Sequence, residues 1–279
     1  MMDHNFIDFN NFRGTSEIND GEMIMVSQIN LHKSSPANLQ HNWWMLDGKG
    51  KDIRIGILHE PHIYNNKITD YSKDLNIFQH TGKEKVRAAI VTTNNIDAWQ
   101  ILQHTNADQS VIAFQSGGKT FVLASVYMPF DSKENPPPEG LVKLKDFCEV
   151  NNFHLTVGSD CNSHHALWGC KYNNKHGDAL ADYILSHDIH VVNTGSKPTF
   201  QVKNRTQIID ITLADTRMLE HIENWRVTDR TTLSDHKQIE FEIQTELKIK
   251  TREYRNIKKT NWEGYLRDLE EKLTDVQGI

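Results

Sequence analysis

Several short apolar runs in this chain of 279 residues end in acid, amide, phenol or imidazole side chains. Ile24–Ile29 runs into Asn30, and Ile53–Leu58 into His59-Glu60-Pro61. Thr120–Val126 runs into Tyr127, and His154–Val157 into Gly158-Ser159-Asp160-Cys161-Asn162. Gln207–Ile209 meets Asp210, and Leu233 leads into Ser234-Asp235-His236. Groups of this kind at strand ends converge readily on one edge of a sheet, where such folds carry sites. Carboxylates hold a proton or a hard cation, and the imidazole, amide and phenol supply donors. Asp160 and Asn162, two apart on an extended segment, point to the same side, so both can reach one phosphate. Each feature also has a plain structural reading. Glu-Pro and Tyr-x-Pro mark strand-to-loop transitions, Asp210 has the place of a cap or turn residue, and Ser-Asp-His alone says little.

These groups need strands to carry them. Ile24–Ile29, Ile53–Leu58, Val86–Thr92, Ser110–Phe114, Thr120–Tyr127, His154–Gly158, Ile189–Val192, Gln207–Leu213, Trp225–Thr228 and Ile239–Ile243 read as strands, rich in β-branched and aromatic residues. The nearly continuous apolar ones are expected to be covered on both faces. Helices are expected between them. Leu141, Leu144, Phe147 and Cys148 share one face after Pro136–Pro138, and Leu180, Ile184 and Leu185 do so within Asp178–Ser186. The fold class is α/β, with mixed sheets flanked by helices. Residues 1–22 show no hydrophobic period and read as a flexible leader. Residues 247–259 hold six basic residues and one acid, Glu253, which reads as a solvated linker. Beyond it Trp262, Tyr265, Leu266, Leu269 and Leu273 mark one face of an amphipathic helix.

Composition excludes whole classes. With 37% hydrophobic, 24% charged and 9% aromatic residues, the chain is not disordered, collagenous or a disulfide scaffold. No apolar run approaches the roughly 20 residues that span a bilayer, so no membrane partner is expected. Three cysteines, Cys148, Cys161 and Cys170, cannot all pair, which points to a reducing compartment. The net charge of −6 argues against a surface that coats nucleic acid. It leaves room for contact with a phosphate backbone along a narrow strip.

The order Asn…Glu-Pro…Tyr-x-Pro…Gly-x-Asp-x-Asn…Asp…Ser-Asp-His resembles the motif series of the endonuclease/exonuclease/phosphatase superfamily. Further stretches sharpen the likeness: Gln28-Ile-Asn30-Leu-His-Lys-Ser, Arg87-Ala-Ala-Ile90, Asn162-Ser-His-His165 with Trp168-Gly169, Lys197-Pro-Thr-Phe200 and Ile209-Asp-Ile-Thr-Leu213. There the chain resembles the apurinic-type endonuclease domain of non-LTR (LINE-like, jockey-clade) retrotransposon polyproteins. The resemblance covers 23–246. It implies a DNase I-like, four-layer α/β-sandwich in which two mixed β-sheets pack face to face between helices. Residues 247–279 would then lead toward a reverse transcriptase that this chain lacks.

The resemblance also implies roles. Glu60 would bind a divalent metal directly with help from Asn30, and Asp235 would bind it or support a ligand. The metal would be Mg²⁺, with Mn²⁺ able to substitute. Asp160 would activate or orient the attacking water, Asn162 and Tyr127 would contact the scissile phosphate, and Asp210 would pair with His236. His165 and Arg87 join Asn162 and Tyr127 as substrate-binding residues. The implied substrate is double-stranded DNA, nicked on one strand to leave a 3′-hydroxyl that primes reverse transcription; from that substrate a nuclear location is expected, otherwise a cytoplasmic one. Such chemistry suits the residue types. A hard cation offsets the charge of a phosphodiester, Mg²⁺ takes one or two carboxylates and keeps most of its waters, and fixed donors stabilise charge as it develops. Asp210 would raise the pKa of His236 and keep it a donor.

Two departures stand out. His59 occupies a position where relatives carry Gln, and Lys175-His176-Gly177 replaces Arg-Gly. Cys161, His165, Cys170 and His176 form a string whose spacing matches no standard zinc finger. His164 and His165 are expected to be hydrogen-bonding residues and the tryptophans to pack, with Trp43-Trp44 as candidates for a partner contact. Two other functions stay open at this stage. One is a phosphatase of the same fold acting on a small phosphoester, and the other a non-catalytic interaction module left by a decayed element.

Overall fold

The computed structural model describes residues 23–47 and 52–246, together with Gly264 and Arg267. The chain divides into two compact units, Met1–Ile249 and Lys250–Ile279. Gly264 and Arg267 are helical; the leader 1–22 and the rest of 247–279 lie outside the described residues.

The first unit is built on two six-stranded sheets. One has the order Ile222–Val227, Ile239–Gln244, Met23–Asn30, Ile53–His59, Ala88–Thr93, Leu75–Gln79. The other runs His190–Val191, Asp210–Ala214, His154–Asp160, Lys119–Tyr127, Gln109–Ser116, Ala98–Gln100. Each sheet is mixed. Met23–Asn30 pairs in parallel with Ile53–His59, and Lys119–Tyr127 with His154–Asp160. Parallel neighbours need a crossover. Helix Ser35–Leu46 makes the first and helix Glu139–Val150 the second.

Apolar clusters define the layers. Val26, Ile55, Ile57, Ile90, Ile112, Phe114, Leu123 and Phe241 fill the space between the sheets. Leu144, Cys148, Leu180 and Ile184, from helices Glu139–Val150 and Lys175–Ser186, cover the outer face of the second sheet over Val122 and Val157. Trp44 and Met45 of helix Ser35–Leu46 cover the first over Leu58, Ala89 and Val91. This is the expected four-layer sandwich. Ile53–His59 and Ala88–Thr93 are buried along their whole length, as apolar runs covered on both faces should be.

Toward one edge the filling between the sheets turns polar. Gln28 Nε2 donates to the carbonyls of Ser159 and Ile211, and its Oε1 accepts from Thr212 Oγ1 at 2.8 Å. Ser125 Oγ donates to the Leu58 carbonyl at 2.8 Å. His59 Nε2 reaches the Gly158 carbonyl at 3.1 Å. Buried polar groups cost free energy unless paired, so these bonds fix the stagger of one sheet on the other beside the site.

Some elements differ from expectation. Helix Ser35–Leu46 starts at an N-cap, Ser34, whose side chain accepts from Ala37 N, with Pro36 in the first turn. That signature is present in Ser34-Ser35-Pro36, but the apolar periodicity behind it is weak. The run Gln207–Leu213 is two strands. Arg205–Gln207 pairs with Phe200–Val202 in a hairpin, and Asp210–Ala214 belongs to the second sheet. Thr199 Oγ1 accepts from both Ile209 N and Asp210 N at 3.1 Å, which breaks the run. The helix expected from Asp178 begins at Lys175, capped by Asn174. The strands Leu75–Gln79 and Ala98–Gln100 are short, partly exposed edge pieces without a continuous apolar run.

Candidate active site

Register explains why the candidate residues meet. In the first sheet Asn30 is the partner of His59, so Asn30 and Glu60 leave adjacent parallel strands at the same end. In the second sheet Asp160 is the partner of Tyr127 on one side and of Asp210 on the other. The two sheets present these ends along one edge. Asn30 Nδ2 closes the gap, donating to Asp160 Oδ2 at 2.8 Å and lying 3.4 Å from Glu60 Oε2. Asn30 Oδ1 meanwhile accepts from His32 N at 2.7 Å. The amide therefore turns its donor, not its oxygen, toward the two carboxylates.

Asp160 is 1% exposed. Burial and the neighbouring charge of Asp210 push its pKa up to about 7, against the pull of His236, Asn30 and the Asn162 amide. Asn162 N donates to Asp160 Oδ1 at 3.3 Å, and Asn162 Nδ2 to the Met128 carbonyl at 3.0 Å. Asn162 stands at φ 46°, in the left-handed region. The expectation of an extended segment with Asp160 and Asn162 on one face is thus corrected. The strand ends at Asp160, and a turn brings Asn162 back over it.

His236 Nδ1 lies 2.8 Å from Asp210 Oδ2. Burial opposes a charge on this ring, but the Asp210 carboxylate, with help from Asp160 and Glu60, brings its pKa up to about 9. The ring is then a double donor at neutral pH, with Nε2–H free to serve the site. Phe200 packs against it at 5.0 Å between centroids, and its backbone bridges that of His236. Asp210 Oδ1 is buried and has no hydrogen-bond partner among the described residues. Asp160, Asp210 and His236 each offer a ligand atom within 4.8 Å of the others.

Glu60 sits at φ 43°, with its N–H bonded to the Arg87 carbonyl. Strained non-glycine backbone at a site edge is held only by such surroundings. Lys33 Nζ is 2.7 Å from Glu60 Oε1. Burial raises the Glu60 pKa, but the bond and charge of Lys33 outweigh it and leave the carboxyl below its usual value. Tyr127 stays a neutral donor, because burial and the charges of Glu60 and Asp160 push its phenol well above the usual range.

Three predicted residues have hydrogen-bond or ion-pair partners outside this cluster. Asp235 faces solvent, 44% exposed, with His32 Nδ1 3.8 Å away. His165 Nδ1 accepts from Leu167 N and caps the turn Ala166–Trp168. The Arg87 guanidinium grips Asp108. The cysteine–histidine string gathers no metal site among the described residues. The Cys161 thiol, buried against Ile209 O, is held well above its usual pKa by burial. Trp44 is buried and donates to Glu240, whereas Trp43 is exposed. Lys33, Asp108, Thr199 and Phe200 were missed as participants. Lys33 carried a sequence signal in the Gln28-Ile-Asn30-Leu-His-Lys-Ser motif, and Thr199 and Phe200 in Lys197-Pro-Thr-Phe200; Asp108 carried none. His59, a departure by type, supplies the inter-sheet contact with the Gly158 carbonyl, and burial keeps it neutral with a pKa of about 4.

Comparison with known proteins agrees with this architecture. Residues 121–240 match the family described as endonuclease-reverse transcriptase. The endonuclease domain of TRAS1, a telomere-specific non-LTR retrotransposon, superposes with a TM-score of 0.65 at 25% identity, over 80% of this chain and 100% of that one. The AP endonuclease LMAP from Leishmania major gives a TM-score of 0.60 at 9% identity, over 80% and 88%. The catalytic domain of Xenopus laevis APE2 gives 0.55 at 11%, over 82% and 94%. No curated protein sequence matches. Fold, motif order and the family match agree: residues 121–240 match the endonuclease-reverse transcriptase family, and the folded unit has the DNase I-like architecture of the endonuclease domains it superposes on.

Proposed function

We propose that the protein is a divalent-metal-dependent DNA endonuclease that hydrolyses one phosphodiester to nick a single strand. The observation that carries this reading is the cluster of Asp160, Asp210 and His236: three buried groups with ligand atoms within 4.8 Å of one another, where burial and Asp210 raise the pKa of Asp160 and Asp210 raises that of His236. A general base works best when its pKa lies near the operating pH. Asp160 would orient a water and take its proton as the water oxygen bonds to phosphorus. The P–O3′ bond breaks, the 3′ oxygen leaves with the bonding pair and takes a proton from solvent to become a hydroxyl, and the phosphate stays on the 5′ side. His236 Nε2–H, the Tyr127 hydroxyl and the Asn162 amide would donate to the phosphoryl oxygens as charge accumulates.

The residues suit a hard divalent cation such as Mg²⁺. Glu60 and Asp160 offer carboxylate oxygens, and the unpartnered buried Oδ1 of Asp210 is the kind of atom that awaits a cation or donor. When bound, the ion would offset phosphate charge and polarise the bond to be broken. Glu60 would hold it, with Asn30 steering both carboxylates.

Supercoiled plasmid tests the reading. Nicking in Mg²⁺ that vanishes in EDTA and in Asp160→Ala and His236→Ala is expected, and a polymerase should extend the nick from its 3′-hydroxyl. A folded wild type that leaves plasmid intact but releases phosphate from small phosphoesters would replace the endonuclease with a phosphatase. A folded wild type inert on both would point to an interaction module.

A further inference from the structure

Arg87 and Asp108 stand where the two sheets begin to diverge beside the site. Arg87 precedes the strand Ala88–Thr93 of the first sheet, and Asp108 precedes Gln109–Ser116 of the second. Their side chains form a two-pronged pair, Nε to Oδ1 and one terminal nitrogen to Oδ2, each at 2.5 Å. Their backbones carry one catalytic candidate each. The Arg87 carbonyl accepts from Glu60 N at 2.7 Å, and the Asp108 carbonyl accepts from Tyr127 N at 2.8 Å. Arg87 N and Ala88 N both donate to the Ala107 carbonyl, so the two segments are also joined through main chain. The guanidinium lies over the Tyr127 ring, 5.3 Å from its centroid.

We propose that the Arg87–Asp108 pair is a positioning brace between the sheets that sets the separation of Glu60 from Tyr127, and that Arg87 is not a phosphate ligand. A planar fork spent on a carboxylate has little left for a phosphate. The same fork lies over the face of the Tyr127 ring, while the Arg87 main-chain carbonyl accepts from Glu60 N. One ion pair thus joins the segment that holds the Glu60 backbone on one sheet to the segment that holds the Tyr127 backbone on the other. Displacements of about 1 Å between such groups cost on the order of a hundredfold in rate.

The inference rests on the endonuclease reading, and the experiment separates the two. Arg87→Met, Arg87→Lys, Asp108→Asn and the Arg87→Met/Asp108→Asn double variant are compared with wild type for three properties. These are Mg²⁺-dependent nicking rate, salt dependence of binding to a duplex oligonucleotide in EDTA, and amide hydrogen exchange. Each single variant is expected to lower the rate roughly ten- to hundredfold. The double variant should be no slower than the worse single, as for residues acting as one unit. Lysine should not rescue, since it cannot make the fork. Salt slopes should stay at the wild-type value, and exchange at Glu60 and Tyr127 should quicken in every variant.

Arg87→Met that lowers the salt slope by about one, with Asp108→Asn binding more tightly at full rate, would make Arg87 a phosphate ligand and overturn the brace. If wild type does not nick at all, the endonuclease reading fails by itself. Exchange at the two amides then decides the brace, and unchanged exchange in both Arg87→Met and Asp108→Asn rejects it.

Discussion

His236 Nδ1 meets Asp210 Oδ2 at 2.8 Å with both side chains at most 5% exposed. The pair makes stability depend on pH. The folded pKa of His236, about 9, exceeds its ordinary value of 6.5, so the folded state holds a proton that the unfolded state releases. This contribution is complete below pH 6.5 and lost as pH rises through about 9. In EDTA, the urea midpoint of wild type should therefore fall across that window. Asp210→Asn should flatten the fall. An equally steep slope in that variant would mean that another group binds the proton.

Glu60→Gln keeps the volume of the side chain and removes its charge. Lys33 then loses its carboxylate partner, and so would the divalent ion of the proposed function. The Mg²⁺ concentration for half-maximal nicking should rise at least about tenfold, roughly the 1.4 kcal/mol of one lost ionic contact, with little change in the melting temperature. Mn²⁺ titration of the protein without DNA gives an independent reading. Unaltered metal affinity would remove Glu60 from the ligands.

Gln40 lies outside the catalytic cluster but holds the loop that delivers His236. Its Oε1 accepts from Leu233 N at 2.8 Å, and its Nε2 donates to the Thr231 carbonyl at 2.5 Å. Ser234 Oγ then bonds the Asn30 carbonyl at 2.7 Å. Gln40→Ala should lower kcat several-fold with KM little moved, since a shift in this loop displaces the donor rather than the DNA. Steady-state nicking on a labelled duplex reads the split. A rise in KM alone would assign Gln40 to binding.

Gly177 shows why the departure at Lys175-His176-Gly177 still keeps its glycine. A Cβ there would lie 1.9 Å from the His164 carbonyl oxygen, and backbone cannot yield as a side-chain tip can. Gly177→Ala should destabilise by about 1–3 kcal/mol, seen as a lower urea midpoint at unchanged m-value. A neutral result would show that helix Lys175–Ser186 can slide off the loop beneath it.

Strands were legible where both faces are buried. Ile53–His59 and Lys119–Tyr127 carry apolar runs whose β-branched residues have no competing helical period. Edge strands such as Ala98–Gln100 were not legible, because three residues without a continuous apolar run are too short to show a period. Helix Ser35–Leu46 escaped notice because it is tied to its surroundings by polar residues as well as apolar ones. Asn38 binds the His62 and Thr69 carbonyls, and His41 bonds Ser27 and Tyr71. Hydrophobic periodicity cannot register such contacts.

Residue types and their order determined the chemistry that this chain can attempt. An amide, a Glu-Pro, an Asp-x-Asn and an Asp-His pair are legible one by one, since each sits where an apolar run stops. What brings them to bear on one another was decided only by tertiary structure. Asn30 and Asp160 are 130 positions apart and share a hydrogen bond because two parallel pairings end at the same edge. The partnership of Arg87 with Asp108, the donor-inward turn of Asn30 and the raised pKa values of Asp160 and His236 have no local signature. They arise from burial and from charges that distant strands place within a few ångströms, where low dielectric makes each one count.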